Sequence, residues 1–396
     1  MSDIAVILVG GRGTRLKQKT KKTPKPLLEI NGRSFLDILL SFIFKSQIKK
    51  VYLICSYLSK QFYIKYNNKN ILGKKIIIIT EEKKGGTGGA LFYLKKKIKK
   101  NFLLFNGDSI VNININEFIK DAKKNSKNLI HMALVRNKFY KSNKKISSIN
   151  INKNNIVYFS KKAVWMNGGI YYINNKVLDL IQRKVFSFEE KILLPLIDNK
   201  KISGSKISKS FIDIGTPSSF KNTSKFIKKH FKENVILLDR DGVINKDYGY
   251  VFKKKDFHLL SGVIQAIKYA NSKGFHVICV TNQAGVGRGF YKEEDVYKLH
   301  KYLNNILFKN NCIIEKFYFC PHHPEFGFGK YKKNCNFRKP NPGMINKAIV
   351  EMNINKNKSF MIGDKLTDLQ AAKRAKIKFY YKKDFSLLKQ IQKYIN

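Results

Sequence analysis

Short apolar runs that end abruptly in glycine or aspartate recur along this chain, and they constrain its fold more than any other feature. Ile4–Val9 stops at Gly10-Gly11-Arg12-Gly13, and Phe102–Phe105 at Asn106-Gly107-Asp108. Val235–Leu238 stops at Asp239-Arg240-Asp241, and Phe360–Ile362 at Gly363-Asp364. Brief apolar runs bounded by turn formers read as buried strands. Between them lie segments with helical spacing, such as Phe35–Lys45, Ala90–Ile98 and Ile115–Lys124. Strand and helix in alternation predict parallel sheets covered by helices, an α/β fold. Ligands of such sheets bind beyond the carboxyl ends of the strands, where these glycines and aspartates fall.

The alternation occurs twice. The first series adds strands at Val51–Cys55, Ile76–Thr80 and Leu129–Val135, and a more β-rich stretch from Ile146 to Tyr172. Helical patterns follow near Val177–Arg183 and Phe188–Leu196, then a strand at Phe211–Ile214 and a helix at Pro217–Lys229. The series restarts at Val235–Leu238. Helices at Val263–Ser272, Glu293–Phe308, Pro342–Met352 and Leu366–Ala375 alternate with strands at His276–Val280, Lys316–Phe319 and Phe360–Ile362. The lysine-rich Lys225–Glu233 reads as the boundary, and no internal repeat is found. For 396 residues this predicts two doubly wound, Rossmann-like domains, 1–230 and 234–396.

Composition sets limits. No apolar run approaches the ~20 residues of a membrane-spanning helix, so no membrane insertion is expected. The N-terminus lacks a basic segment followed by an apolar core, and the five cysteines are sparse and odd in number. Neither a secretory signal nor a disulfide framework is expected, and the cytoplasm is the default location. The net charge of +51 invites a nucleic-acid reading, yet only nine of the 78 basic residues are arginine. Lysine, asparagine and isoleucine are spread over the whole length, as an A- and T-rich coding sequence would produce. Nucleic-acid readers concentrate charge and use arginine forks. A solvated, compositionally biased surface is the expectation, with no nucleic-acid partner; such a field still favours phosphorylated small molecules.

Gly10, Gly11 and Gly13 at a strand end let backbone N–H groups approach phosphate oxygens. The spacing is neither a dinucleotide fingerprint nor a Walker A loop. Arg15 and Lys25, the latter between two prolines, add fixed positive charge. The set GGRGTRL, then TPKPLLEINGRSFLDILL, resembles the sugar-1-phosphate nucleotidyltransferase family, whose domain is glycosyltransferase-A-like. Further matches follow in order: Gly85-Gly86-Thr87-Gly88-Gly89, Asn106-Gly107-Asp108, Asn167-Gly168-Gly169 and Asp213-Ile214-Gly215. The resemblance implies attack of a sugar phosphate on the α-phosphorus of a nucleoside triphosphate. Arg15 and Lys25 would neutralise the triphosphate, with Gly10, Gly11, Gly13 and Thr14 around it. Gly88 would contact the base, and Asn167 and Lys162 the sugar phosphate. Asp108 and Asp213 would hold Mg²⁺. Lys161 stands where the family often has glutamate.

The second half carries Asp239 and Asp241 after an apolar strand, then Thr281-Asn282-Gln283, Arg338-Lys339-Pro340 and Gly363-Asp364-Lys365-Leu366-Thr367-Asp368. This series resembles the haloacid dehalogenase phosphatases. The resemblance implies Asp239 as nucleophile, Asp241 as acid and base, and Lys339 as charge partner of nucleophile and phosphate. Asp239, Asp241 and Asp364 would hold Mg²⁺, and Asp368 would support them. Thr281, Asn282, Arg288, Arg338 and Lys365 would contact substrate. TNQAGVGRGFY, CPHHPE and RKPNPGM look like the heptose 1,7-bisphosphate phosphatase branch, with histidinol-phosphate phosphatases the nearest competitor. That branch carries zinc through Cys-x-His and Cys-x-Cys. Here Cys320, His322 and Cys335 match, but Phe337 stands in the fourth place, with His323 a conceivable substitute. Cys55, Cys279 and Cys312 are expected in the core.

Fusion of the two activities suggests consecutive steps. Removal of the 7-phosphate leaves heptose 1-phosphate, which a transferase would activate, GTP being the favoured donor by resemblance. The alternatives are a hexose-1-phosphate transferase joined to a histidinol-phosphatase-like domain and, remotely, a polyanion-binding protein.

Overall fold

The computed structural model describes residues 3–67, 69–136, 149–208 and 210–395. The chain divides into two units: Met1–Lys69 with Lys75–Phe231, and Lys232–Asn396 with Asn70–Lys74.

In the first unit, Ile4–Leu8 is a central strand. Lys50–Cys55 pairs parallel on one side of it and Phe102–Asn106 on the other, with Lys74–Thr80 beyond Lys50–Cys55. The all-parallel expectation stops there. Trp165–Ile173 runs antiparallel to Phe102–Asn106 and to Ile130–Arg136, so the sheet is mixed. Val6, Leu104, Met132, Tyr171 and Phe188 are buried in one cluster over this sheet. The helix Phe35–Phe44 starts with a reciprocal cap: Ser34 Oγ accepts from Asp37 N, and Asp37 Oδ2 accepts from Ser34 N, both at 3.2 Å.

The second unit has a five-stranded parallel sheet ordered Lys316–Cys320, His276–Asn282, Val235–Leu238, Phe360–Gly363, Lys378–Tyr381. The period of two in Val235–Leu238 serves both faces. Ile236 and Leu238 pack with Val263, Ile267 and Leu303, while Val235 and Leu237 pack with Ile345, Ala348 and Ala371. Cys55, Cys279 and Cys312 are buried, as expected.

Some boundaries differ from the sequence reading. The lysine-rich segment taken as a boundary is largely the end of the helix Pro217–His230, and the units part after Phe231. Lysines at the last turn suit a helix C-terminus, where the dipole favours cations. The expected helix Ala90–Ile98 shrinks to short turns at Gly86–Gly89 and Ala90–Leu94. Among the described residues the helices Ser59–Tyr66, Ala284–Gly287 and Leu387–Ile395 escaped the sequence reading. The β-rich stretch from Ile146 begins partly outside the described residues.

Candidate active sites

In both units the central strand ends where the winding of the sheet changes direction, the place where α/β sheets open a crevice. In the first unit a cavity of about 290 Å³ lies beyond Leu8. Gly10, Gly11, Gly13, Lys25, Glu81, Lys84, Thr87, Asp108 and Glu189 are among its lining. Gly13 has φ +64, and a Cβ there would stand 3.1 Å from Lys25 Cβ, so the tight turn over Lys25 requires glycine. A Cβ on Gly11 would meet nothing within 4 Å, which leaves that backbone open to a ligand.

Lys25 is buried and its Nζ lies 2.6 Å from Asp108 Oδ2. Asp213 is brought beside Asp108 by the pairing of Phe211–Asp213 with Ser109–Val111 and by Ile214 N donating to Asp108 O at 2.9 Å. Burial and the Asp108 charge push the Asp213 carboxyl up to about 6, against the pull of Lys25 and Arg15. A Cβ on Gly215 would lie within 3.2 Å of Asp213 Oδ1, Arg15 Nη2 and Lys25 Nζ together, so these groups converge. Glu81 is half-buried, its carboxyl is raised by burial, and Oε1 accepts from Gly85 N at 3.2 Å.

The second unit's cavity, about 440 Å³, opens beyond Leu238 and includes Asp239, Asp241, Thr281, Lys339 and Lys365. Lys339 Nζ lies 2.8 Å from Asp239 Oδ1 and 2.6 Å from Asp368 Oδ1, and donates to Val280 O at 3.0 Å. All three charged side chains are buried. Burial and the nearby charges of Asp368 and Asp241 push the Asp239 carboxyl up to about 7, Lys339 opposing them. Asp241 is held from three directions. Arg240 donates to both its oxygens at 2.9 Å, Asn245 Nδ2 to Oδ1 at 2.9 Å and Gln283 Nε2 to Oδ2 at 3.0 Å. Tyr291 OH fixes Gln283 by donating to Oε1 at 2.8 Å. Gly242 has φ +84, and a Cβ there would fall 2.3 Å from Asp364 Oδ2, so the turn after Asp241 lets Asp364 approach.

Comparison with known proteins agrees with this geometry. The nucleotidyl transferase family matches residues 4–230. The chain belongs to that family. The haloacid dehalogenase-like hydrolase family matches residues 325–381. The chain is 44% identical over 144 residues to the D-glycero-alpha-D-manno-heptose-1,7-bisphosphate 7-phosphatase of Burkholderia mallei, covering 36% of this chain and 76% of that protein. It is 42% identical over 146 residues to the D-glycero-beta-D-manno-heptose-1,7-bisphosphate 7-phosphatase of Pasteurella multocida, covering 37% and 79%. Its second half belongs with these phosphatases. Among solved structures, HddC from Yersinia pseudotuberculosis complexed with GMP-PN is 26% identical, covers 57% of this chain and 99% of that one, and has a TM-score of 0.47. The chain therefore joins a nucleotidyl transferase to a haloacid dehalogenase-like phosphatase.

Within the nucleotidyl transferase unit, several expected contacts take another form. Thr14 is exposed at the start of the short helical segment Thr14–Thr20, outside the cavity lining. Gly88 packs under Phe186: a Cβ would fall 2.1 Å from the ring, and its N–H donates to Phe186 O at 3.0 Å. It closes the loop, and Gly86, Thr87 and Ala90 line the cavity instead. Asn167 is committed within its strand. Its Nδ2 donates to Tyr171 OH at 2.6 Å and its Oδ1 accepts from Gly169 N at 2.9 Å, holding a register shift against Ile130–Arg136. Lys162 is exposed beyond the strand Val157–Phe159, away from the cavity lining. Glu81, Lys84 and Glu189 line the cavity without having been singled out from the sequence. Glu81 and Lys84 come from the segment that follows the strand Lys74–Thr80, and Glu189 from a distant one that only the fold brings to it.

In the phosphatase unit the expected residues converge more fully. Asn282 is the exception in role, because its amide is spent on the backbone of Lys339. Lys365 pairs with Asp247 at 2.9 Å at the cavity edge. Gln283, Tyr291 and Asn245 were not singled out; nothing in their local sequence points at Asp241.

The donor sets can be tested against the metals implied. Asp239, Asp364 and Asp368 offer oxygens within 4.8 Å of one another, and Asp364 Oδ1 is buried with no hydrogen-bond partner. An orphaned carboxylate oxygen among carboxylates suits a hard divalent cation. Asp108 and Asp213 form a second carboxylate pair beside which Lys25 and Arg15 already place positive charge, and a hard divalent cation would add to it. Cys320, His322 and Cys335 present ligand atoms within 4.8 Å of one another, a soft set that suits zinc but supplies three of four positions. Phe337 packs against the core with Cys335. His323 does not complete the set: its Nδ1 accepts from Glu325 N at 3.2 Å and Phe326 N at 3.1 Å, and its ring lines the phosphatase cavity.

Proposed function

We propose that this chain carries out two consecutive steps of nucleotide-activated heptose synthesis. The second unit removes the 7-phosphate of D-glycero-D-manno-heptose 1,7-bisphosphate. The first transfers a nucleotidyl group, GMP from GTP, to the resulting heptose 1-phosphate. The observation that carries this reading is the joining, in one chain, of a nucleotidyl transferase to a unit 44% identical to a heptose-bisphosphate 7-phosphatase. The 1-phosphate left by the first reaction is the nucleophile needed for the second.

In the phosphatase step an Asp239 oxygen attacks the 7-phosphorus and the bond to the sugar oxygen breaks. Asp241, held by Arg240, Asn245 and Gln283, gives the leaving oxygen its proton. A water then attacks the aspartyl phosphate, Asp241 takes its proton, and inorganic phosphate leaves with Asp239 restored. Lys339 offsets the charge of Asp239 throughout. Mg²⁺ held by Asp239 and Asp364 would neutralise the phosphate oxygens; the Asp241 side chain, expected as a further ligand, lies outside the carboxylate cluster and is held by Arg240, Asn245 and Gln283.

In the transfer step an oxygen of the sugar 1-phosphate attacks the α-phosphorus of the triphosphate, and pyrophosphate departs. Gly10, Gly11 and Gly13 cradle the phosphates while Lys25 and Arg15 supply positive charge. Mg²⁺ held by Asp108 and Asp213 would supply further positive charge to the phosphates. Glu81 supports the choice of guanine. A half-buried carboxylate accepts from the adjacent N1–H and N2–H₂ donors of guanine, and no other common base presents that pair.

The histidinol-phosphate alternative lacks comparable support, the relatives reported above being heptose-bisphosphate phosphatases. Zinc at Cys320, His322 and Cys335 belongs to the proposal as a structural ion of the loop. The reading is tested by incubating the protein with heptose 1,7-bisphosphate and Mg²⁺ and following phosphate release. Release should be abolished by Asp239→Asn, and retention of activity in that variant would sink the assignment.

A further inference from the structure

The side-chain amide of Gln283 stands among three groups of the phosphatase unit. Its Nε2 lies 3.0 Å from Asp241 Oδ2 and 2.9 Å from Thr281 Oγ1, and its Oε1 lies 2.8 Å from Tyr291 OH. Gln283, Thr281 and Tyr291 are all buried. The Tyr291 ring stacks on Phe252 at 4.7 Å. A Cβ on Gly285 would fall 2.2 Å from the Tyr291 ring, so the turn after Gln283 needs glycine to bring Tyr291 back onto the amide. Arg240 and Asn245 hold Asp241 from its own loop, whereas Gln283 follows the neighbouring strand His276–Asn282.

The chemistry of these partners orders the donors and acceptors. An ionised carboxylate only accepts, so the amide atom facing Asp241 is the nitrogen. Oε1 then faces Tyr291, and the phenol donates to it. Burial pushes the Tyr291 phenol up, so its oxygen keeps that proton. The second N–H of the amide points at Thr281 Oγ1, which accepts it. That hydroxyl makes no other hydrogen bond among the described residues, and Thr281 lines the cavity. With one lone pair taken by Gln283, the hydroxyl hydrogen is left for the cavity, where a phosphate oxygen would accept it.

We infer that Gln283 is a positioning residue that aims two groups at once, the Asp241 carboxyl at the leaving oxygen and the Thr281 hydroxyl at the phosphate, with Tyr291 locking the direction of the amide. The inference rests on reading this unit as a phosphatase in which Asp241 gives the leaving oxygen its proton. It adds that one amide sets both the proton donor and the phosphate donor. Loss of Gln283 therefore disturbs both, in ways that different leaving groups separate.

The test measures single-turnover ester cleavage by the full-length protein with Mg²⁺, on heptose 1,7-bisphosphate and on 4-nitrophenyl phosphate, whose leaving group departs without a proton. Gln283→Leu should slow the sugar ester about 100-fold and the aryl ester about tenfold. The remaining loss on the aryl ester should vanish in a Thr281→Val background, which has no hydroxyl to aim. Tyr291→Phe keeps the stacked ring and should show smaller losses in the same order. A merely structural role would slow both esters alike; that outcome overturns the inference, as does an unchanged rate in Gln283→Leu. In an Asp241→Asn background Gln283→Leu should cost the sugar ester less than in the wild type, and an equal cost overturns the inference whether or not the aryl ester is cleaved. Hexose 6-phosphates are run in parallel. If a hexose ester is cleaved and heptose bisphosphate is not, the same comparison on that ester decides the inference while the heptose reading fails. Full cleavage by Asp239→Asn would instead sink the phosphatase reading on which the inference rests.

Discussion

Asn282 and Lys339 are joined by a reciprocal pair of hydrogen bonds: Asn282 Nδ2 donates to Lys339 O, and Lys339 N donates to Asn282 Oδ1, both at 3.0 Å. The side-chain amide thus imitates a strand partner and fixes the loop that delivers Lys339 to Asp239. Displacements of ~1 Å near a reacting centre cost roughly a hundredfold in rate. Asn282→Ala should therefore lower phosphatase kcat about 10- to 100-fold with a modest stability loss of ~1–2 kcal/mol. Single-turnover phosphate release and thermal unfolding measure the two.

Lys339 separates two buried carboxylates, and removing it leaves both without their cation. Truncating one partner of a buried ion pair typically costs ~3–5 kcal/mol. Lys339→Met should abolish phosphate release and destabilise the second unit by about that amount, while nucleotidyl transfer persists. Urea unfolding together with a pyrophosphate-release assay checks each part. Wild-type phosphate release from this variant would contradict the role given to Lys339.

Glu81 is assigned to base selection. Replacing its carboxylate by an amide exchanges one acceptor for a donor facing guanine. Sites that hydrogen-bond a substrate group discriminate strongly against its loss. Glu81→Gln should reduce the preference for GTP over the other triphosphates by about 10- to 100-fold. Competition among an equimolar set of triphosphates, read by mass spectrometry, gives the ratio directly.

His276 is buried between Glu233, at 3.4 Å, and Glu315, at 3.3 Å. Burial alone would lower its pKa, but the two carboxylates outweigh it and raise the value above 6.5. A raised folded-state pKa adds stability that is fully present below the unfolded value and is lost as pH rises through the folded one. The second unit should therefore lose stability as pH rises above about 6.5, and His276→Gln should flatten that dependence. Thermal unfolding across pH 5.5 to ~9 tests it, and an identical pH slope in the variant would refute the pairing.

Three soft ligands should hold zinc more weakly than a closed four-ligand site. Zinc bound at Cys320, His322 and Cys335 should exchange readily with a chelator, and Phe337→Cys should slow that exchange. Metal analysis after dialysis reads both. Equal retention in the wild type and Phe337→Cys would show that the fourth position is not supplied by residue 337.

Much of this site was legible because the chemistry sits at strand ends. The run Val235–Leu238 followed by Asp239 and Asp241 specifies both a buried central strand and what lies beyond its edge. Lys339 and Asp364 follow the same logic. Thr87 falls in the Gly85–Gly89 loop singled out from the sequence, but Glu189 on the same side of the first cavity was not legible, because it is distant in sequence and meets that loop only after folding. The committed roles of Asn167 and Gly88 also depend on one neighbour each, Tyr171 and Phe186, which no local pattern identifies. The β-rich stretch from Ile146 to Tyr172 was legible in sequence, but the antiparallel direction of the strand Trp165–Ile173 is decided by the sheet it joins. The helix Pro217–His230 was read as far as Lys229, and the lysine-rich boundary read across its end lies where the units part, after Phe231.

The central claim, two linked activities on one sugar, is tested most directly by a single incubation read by mass spectrometry. The protein and Mg²⁺ are mixed with D-glycero-α-D-manno-heptose 1,7-bisphosphate and an equimolar set of GTP, ATP, CTP and UTP. The account predicts GDP-heptose, with inorganic phosphate and pyrophosphate released in equal amounts. Heptose 1-phosphate that accumulates without any nucleotide-sugar, or bisphosphate left unchanged, would contradict it.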